Sequence, residues 1–591
     1  MPTTVVWLRN SLRLADHPAL THAAERGAVV PAFVWAPDEE EPWAPGGAHR
    51  WWLDGSLRAL DADLREKASR LVVRQGASLD ELVAVCQAAG ADRVVWQGRL
   101  APHLRQRDDR VRAGLEAAGI EVRTFAGRIL HDPERIQTGS GGSYRVFTPF
   151  WNRFRDEVTV GAPLAVPDLG ASRAPETWPE SLSVDALALT DTAQDGVAWA
   201  GGMADEWTPG EAGAQARLGT FLDESLIDYP EGRDVPAQRD TSMLSPHLHW
   251  GEVSPREVWT RVEGWVQNGA MREDADKFLS EVAWREFAYH VLHHHPDTPT
   301  EALKAKYAGF PWRDAPGDFE AWTHGRTGYP FVDAGMRQLW AQGWMHNRVR
   351  MVTASFLTKH LLLPWQDGAR WFWDTLCGAD LANNTMGWQW AAGSGADAQP
   401  FFRIFNPITQ GQTHDSDGAY IRRWVPELAD LPDKHLHTPW DAPADVLTEA
   451  GVTRARRTRT RSWRTRTPAS GPSTRSRRST TSAGRTGERE RASRLPAIAG
   501  DVPALGDVRP RMAVCHSFTE RGSCRAPTPL AWTSPRPTLW PPFPSPPPPA
   551  TRWASRLNSR SSTRSRTTSS RGPSTSWTAS ATTTRRSSRS S

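Results

Sequence analysis

The chain has 591 residues, 39% of them hydrophobic, with 30 Trp and only four Cys; that length suggests about three or four domains, and no run of ~18 apolar residues occurs that would span a membrane. The net charge of +4 conceals a division, because residues 451–591 hold 28 Arg, no Lys and five acidic residues while residues 1–450 carry a net −19. An acidic body of that kind repels phosphate overall, so it could bind nucleic acid only through a local basic patch.

The opening MPTTVVWLRNSLRLADHP lacks a basic stretch followed by an apolar one, and Cys86, Cys377, Cys515 and Cys524 are scattered without zinc spacing. A reducing cytoplasm and no metal are expected. Residues 4–7 (TVVW), 29–35 (VVPAFVW), 71–74 (LVVR), 93–96 (RVVW) and 120–125 (IEVRTF) read as short strands. Between them Asp16-His17-Pro18 opens a helix, with Pro in its first turn, and 50–69 and 78–89 have helical spacing. Strand alternating with helix predicts an α/β domain on a parallel sheet over residues 1–131. No GxGxxG follows the first strand, so the dinucleotide fingerprint is missing.

Residues 132–205 are expected to connect domains, being rich in Ala, Pro, Gly, Asp and Ser from 155 onward. Residues 206–450 have helical spacing throughout. EVAWREFAYHVLHHH (281–295) is typical, with apolar positions at 282, 283, 287, 291 and 292. From 451 the composition breaks: no Tyr, no Gln, and Ile498 the single Ile. Such a segment cannot bury enough apolar surface to fold. A disordered Arg/Ser/Pro-rich tail is expected over 451–591, natural or, as the composition favours, a shifted reading frame of a GC-rich gene.

Four stretches carry the chemistry: TSMLSPHLHWGEVSP (241–255), FLSEVAWREF (278–287), GYPFVDAGMRQLWAQGWMHNRVRM (328–351), and ADLANNTMGWQW (379–390) with FFRIFNP (401–407). Alone, each has a plain reading: the serines cap a helix, Asn384 caps a turn, Glu281 is a solvated carboxylate, and Trp284 is core. Together, and with WLRNSLRLADHPAL (7–20), they resemble the photolyase/cryptochrome family over residues 3–450, within it the class I cyclobutane pyrimidine dimer photolyases.

The resemblance implies a Rossmann-like α/β antenna domain, an all-α domain holding FAD, and light-driven dimer splitting by electron transfer from reduced flavin. Hydroxyl and backbone N–H groups of Thr241, Ser242, Met243, Leu244 and Ser245 suit the pyrophosphate. Tyr229, Phe278, Arg285, Asn347, Arg350, Asp380 and Asn384 match other flavin-site positions, with Asn384 facing the flavin N5. Trp388, Trp365 and Trp312 match the family's electron relay. Glu281 matches the carboxyl that bonds the flipped dimer; Trp284 and Trp390 match its flat walls, with Asn347 and Met351 beside them, and Arg233, Arg348 and Arg403 the phosphate contacts. The implied partner is DNA bearing such dimers, and a monomer is expected.

Departures from the pattern are informative. Gly378 stands where the family carries an acid that pairs with the arginine at Arg350. Gln106 replaces a Glu that contacts a folate antenna, which favours a deazaflavin antenna or none. A cryptochrome-like photoreceptor is the alternative, which Glu281, Trp284, Met351 and Asn384 oppose. The (6-4) photolyases use two histidines where this chain has Asn347 and Met351. A chain disabled by its tail or by Gly378 is the remaining alternative.

Overall fold

Every strand expected from the sequence lies in one sheet. In the computed structural model, which describes residues 1–190, 200–266, 272–398, 400–401 and 403–452, five parallel strands run in the order β3-β2-β1-β4-β5. They are β1 (Thr3–Leu8), β2 (Ala28–Trp35), β3 (Val72–Gln75), β4 (Arg93–Gln97) and β5 (Glu121–Phe125), with Val5 opposite Val30 and Val94. The crossovers are helices α1 (Pro18–Arg26), α2 (Gly47–Glu66), α3 (Ser78–Ala89) and α4 (Pro102–Ala117). His17 Nδ1 caps α1 by accepting the Leu20 N–H at 3.0 Å.

The three central strands β2, β1 and β4 are buried on both faces because helices cover both, whereas the edge strand β5 is largely exposed. Val5, Trp7, Val30, Val34 and Val94 face α3 and α4. Val6, Leu8, Val29, Phe33 and Val95 face α1, α2 and the helical part, where Met243, Trp250 and Cys377 join the same core. The order of strands changes direction at β1, which lies between β2 and β4. Open parallel sheets form crevices at such a point, beyond the carboxyl ends of the strands.

The stretch 132–205, expected to be a plain connection, contains an eleven-residue helix, α5 (Phe147–Glu157). Its Phe147, Phe150 and Phe154 recur at three- and four-residue spacing and pack on Ala283, Phe287 and Val291. Past residue 200 the described residues form helices and turns. The central one, Arg272–His294, buries the five apolar positions expected of it and also Arg285, Glu286, Tyr289 and His290. It is therefore covered around its circumference, and its polar groups need partners. Glu286, for instance, accepts the Leu130 N–H at 2.8 Å and pairs with His131.

Glu252, fully buried, joins the two parts. It accepts from Trp52 Nε1 at 3.0 Å and the Ser56 hydroxyl on α2, and from the Gly210 N–H at 2.7 Å, and pairs with His247. The expectation for 451–591 lies outside the described residues, apart from Gly451 and Val452.

Candidate functional site

Asp380 organises the amide-rich turn. Its carboxylate caps the helix Leu381–Ala392, accepting the Asn383 N–H at 3.1 Å and Asn383 Nδ2 at 2.7 Å. It also accepts the Tyr289 hydroxyl, with Arg128 Nη2 at 3.5 Å. Burial pushes the carboxyl up, but Arg128 and Arg285, with the Tyr289 and Asn383 hydrogen bonds, outweigh it and hold it below the usual range. Asn384 and Trp388 follow one turn apart on one face. Asn384 Nδ2 donates to the Ala369 carbonyl at 2.9 Å, and its Oδ1 accepts no hydrogen bond among the described residues.

Trp388 packs edge-on against Phe372 and Trp322, at 5.0 and 6.0 Å between ring centres. Its tip fits over Gly368, where a Cβ would lie 2.2 Å from Cη2. Trp365 is buried one turn before Gly368 on the helix Trp365–Thr375. Trp312 is half-buried against Phe310 at 4.3 Å. Among the described residues no ring contact joins Trp388 to Trp365 or Trp365 to Trp312.

Several polar groups nearby have no hydrogen-bond partner among the described residues. The helix Ser245–Trp250 has no side-chain cap, so the plain capping reading of 241–245 fails. Ser242 Oγ accepts the Leu244 N–H at 3.5 Å, and the hydroxyls of Thr241 and Ser245 are free among the described residues. Met243, in the left-handed region at φ 49°, and Leu244 are buried in this turn. Tyr229 is buried, its ring edge-on to Phe278 at 5.4 Å. Arg285 Nη1 donates to the Arg128 carbonyl at 2.8 Å, while its buried Nη2 has no hydrogen-bond partner among the described residues.

Arg350 Nε donates to the Met345 carbonyl at 2.7 Å, and burial pushes its guanidinium down to about 10. No carboxylate among the described residues pairs with it. At Gly378, the position of the family's acid, a Cβ would lie 2.5 Å from Pro246 Cα, so a side chain there requires the Ser245–Pro246 turn to move. Arg285 Nη2 is buried and unmatched, and a buried donor of this kind is normally satisfied by a bound molecule or an ordered water. Hydroxyls, two guanidinium groups and an amide oxygen suit a cofactor with phosphates and a polar ring, and they fit FAD.

A second group forms an edge. Glu281 pairs with Arg233 and with Lys277, whose Nζ is 2.9 Å away. Arg348 pairs with Asp234. The segment Arg233–Asp234 thus ties the Glu281 helix to the helix Asn347–Ser355. On the latter, exposed Asn347 sets its Nδ2 3.9 Å from Met351 Sδ. Trp284, one turn from Glu281, stacks on Phe147 at 3.8 Å, so one of its two faces is occupied. Trp390 stacks on Phe405 at 6.3 Å. Arg403 is exposed, and its carbonyl accepts from Lys359 Nζ at 2.9 Å.

Lys277 and Asp234 were missed in the sequence, although Lys277 stands four residues before Glu281 and Asp234 follows Arg233. Arg128 and Tyr289 left no such signal, since they reach Asp380 across long stretches of chain.

The crevice beyond β1 and β4 is a cleft of about 800 Å³, counting its open mouth. Arg9, Arg99, Arg107 and Arg128 line it, with Asp380 in its wall. His49 and His249 stack there at 4.8 Å, and His49 Nε2 and His249 Nδ1 have no hydrogen-bond partner among the described residues. Burial pushes His49 down to about 3. Gln106 is exposed on α4 and does not line the cleft.

Residues 4–168 match a family model described as DNA photolyase, and residues 278–459 match the FAD binding domain of DNA photolyase. A deoxyribodipyrimidine photo-lyase of Agrobacterium fabrum is 47% identical over 449 residues, which are 76% of this chain and 92% of that protein. Cryptochrome-2 of Arabidopsis thaliana is 38% identical over 76% of this chain and 74% of its own length. A solved bacterial class III photolyase from Agrobacterium tumefaciens matches with a TM-score of 0.73 and 46% identity, over 77% of this chain and 92% of that one. The chain therefore belongs to the DNA photolyase family, whose relatives here include both photo-lyases and cryptochromes.

Proposed function

We infer that the chain is a deoxyribodipyrimidine photo-lyase, which splits cyclobutane pyrimidine dimers in DNA under light. FAD, reduced and excited by light, supplies the electron. Thr241, Ser242 and Ser245, with the backbone of Met243 and Leu244, hold its phosphates. Tyr229, Phe278, Arg285, Asn347, Arg350 and Asp380 frame the rest. The Oδ1 of Asn384 accepts from a ring N–H. Trp388, Trp365 and Trp312 relay electrons inward from the surface. With no ring contact between successive members among the described residues, electrons pass from Trp312 to Trp365 and from Trp365 to Trp388 in two separate hops.

The observation that carries this reading is the bridge through Arg233–Asp234, which sets Glu281 and Trp284 beside Asn347, Arg348 and Met351. A flipped dimer lies against the other face of Trp284 and against Trp390. Glu281 shares a proton with the pyrimidine carbonyls as negative charge develops there, and Arg233, Arg348 and Arg403 meet the flanking phosphates. The identity with the Agrobacterium tumefaciens protein favours class III over the class I expected from motifs. The arginine-lined cleft is where an antenna chromophore, deazaflavin or folate, is held. A cytoplasmic monomer is proposed. The kinship with plant cryptochromes supports a photoreceptor as the second reading.

The test is repair of a thymine dimer in single-stranded DNA with the flavin reduced beforehand. Wild-type protein should split it, and Glu281→Ala should lower the yield per absorbed photon, the loss of one donor commonly amounting to ~2–4 kcal/mol. No splitting by the wild type would select the photoreceptor. Trp388→Phe should block photoreduction of oxidised flavin while sparing repair by pre-reduced protein, read from the flavin absorbance and the repair yield.

A further inference from the structure

We propose that Arg233 and Arg348 are anion-exchange sites: in DNA-free protein each holds a carboxylate of the same chain where a phosphate is to bind, and phosphate binding releases Glu281 from Arg233 and Asp234 from Arg348. The proposal rests on the reading of both arginines as phosphate contacts. Arg233 bonds Glu281, and its guanidinium lies over the Tyr229 ring at 5.6 Å, which holds the cation in place while its anion changes. Arg348 bonds Asp234, and this is the one ion pair either residue makes among the described residues.

Both pairs are open to water, with side-chain exposures of 15% and 25% for Arg233 and Glu281, and 19% and 36% for Arg348 and Asp234. The Arg9–Asp108 pair beside the sheet is 6% and 9% exposed. Pairs that water reaches are weak and exchangeable, whereas breaking a dry pair strands a charge. A phosphate arriving at Arg233 therefore meets a competitor. Once it wins, Glu281 keeps Lys277, at 2.9 Å on its own helix, and its carboxyl is free to turn toward a base. Undamaged DNA has to displace the same carboxylates but provides no dimer for the released Glu281. The exchange thus acts against non-specific binding.

The sign of one measurement tests this. FAD-loaded full-length protein is titrated in the dark with a fluorescent, undamaged single-stranded oligothymidylate at several salt concentrations. Glu281→Gln and Asp234→Asn should each bind about two- to five-fold more tightly than wild type, the range for weak ion pairs. Their salt dependence should steepen by about 0.7 in log–log slope for each cation freed. Glu273→Gln, which neutralises an exposed acid that has no partner among the described residues, in the first turn of the same helix, controls for net charge and should change affinity much less. An acid variant that binds no more tightly than Glu273→Gln overturns the exchange at its arginine. If that happens while wild-type protein still splits dimers, the repair reading stands and only the exchange falls. Tightening in a protein that splits no dimers supports the exchange and removes the repair reading.

Discussion

Asp380 and Glu281 are both carboxylates held by several donors, and they differ in the water that reaches them. Asp380 is 8% exposed and its donors are fixed: a helix N-terminus, a tyrosine and an arginine that itself bonds two backbone carbonyls. Glu281 has a side chain 25% exposed and two cations on flexible stems. A dry cluster can be neither rearranged nor emptied without a large penalty, so it sets architecture. A wet one can change partners, so it suits a surface that must accept a ligand.

The largest effect should come from the dry side. Asp380→Ala strands Arg128 and uncaps the Asn384 helix, and should destabilise the protein by about 3–5 kcal/mol in denaturant unfolding. A loss below about 1 kcal/mol would erase the contrast.

Acid should act on the same interior next. His17 and His49 are pushed by burial down to about 3, below an unfolded value of about 6.5. The unfolded chain therefore binds the proton first, and stability is full above about pH 6.5 and lost progressively as pH falls toward 3. Over the first unit below 6.5 the two together should remove about 2 kcal/mol. Stability that is flat between about pH 6.5 and 4.5 would show that these histidines are wetter than their burial implies.

The wet edge should respond in binding rather than in folding. Arg403→Ala should weaken DNA binding several-fold whatever the sequence, lower the salt slope by about 0.7, and leave unfolding unchanged. Lys277→Ala should be smallest, shifting stability by less than about 0.5 kcal/mol. A larger shift would move Glu281 to the dry class.

The contrast also separates what sequence reveals from what it hides. The central strands β1, β2 and β4 were legible because their apolar runs are covered on both faces, and the 281–295 helix because its apolar spacing matches its buried side. The amide-rich turn was legible as a motif. Asp380's role as a cap was not, because its partners Arg128 and Tyr289 are brought to it only by the fold. The occupied face of Trp284 was hidden for a similar reason. Phe147 covers it from a helix inside a stretch whose Pro and Gly content suggested only a connection, although the spacing of Phe147, Phe150 and Phe154 was a signal of that helix.

Glu252 has a consequence for biosynthesis. Two of its donors, Trp52 and Ser56, belong to the first part of the chain to be made, and the other groups it meets, Gly210 and His247, to a later part. The nascent sheet can form early. Its α2 face then stays unfinished, with Leu53, Leu57 and Leu60 awaiting Met243 and Trp250, until translation has passed residue 252. A ribosome stalled before that point would present an apolar face to chaperones, and the two parts cannot be expressed separately as finished halves.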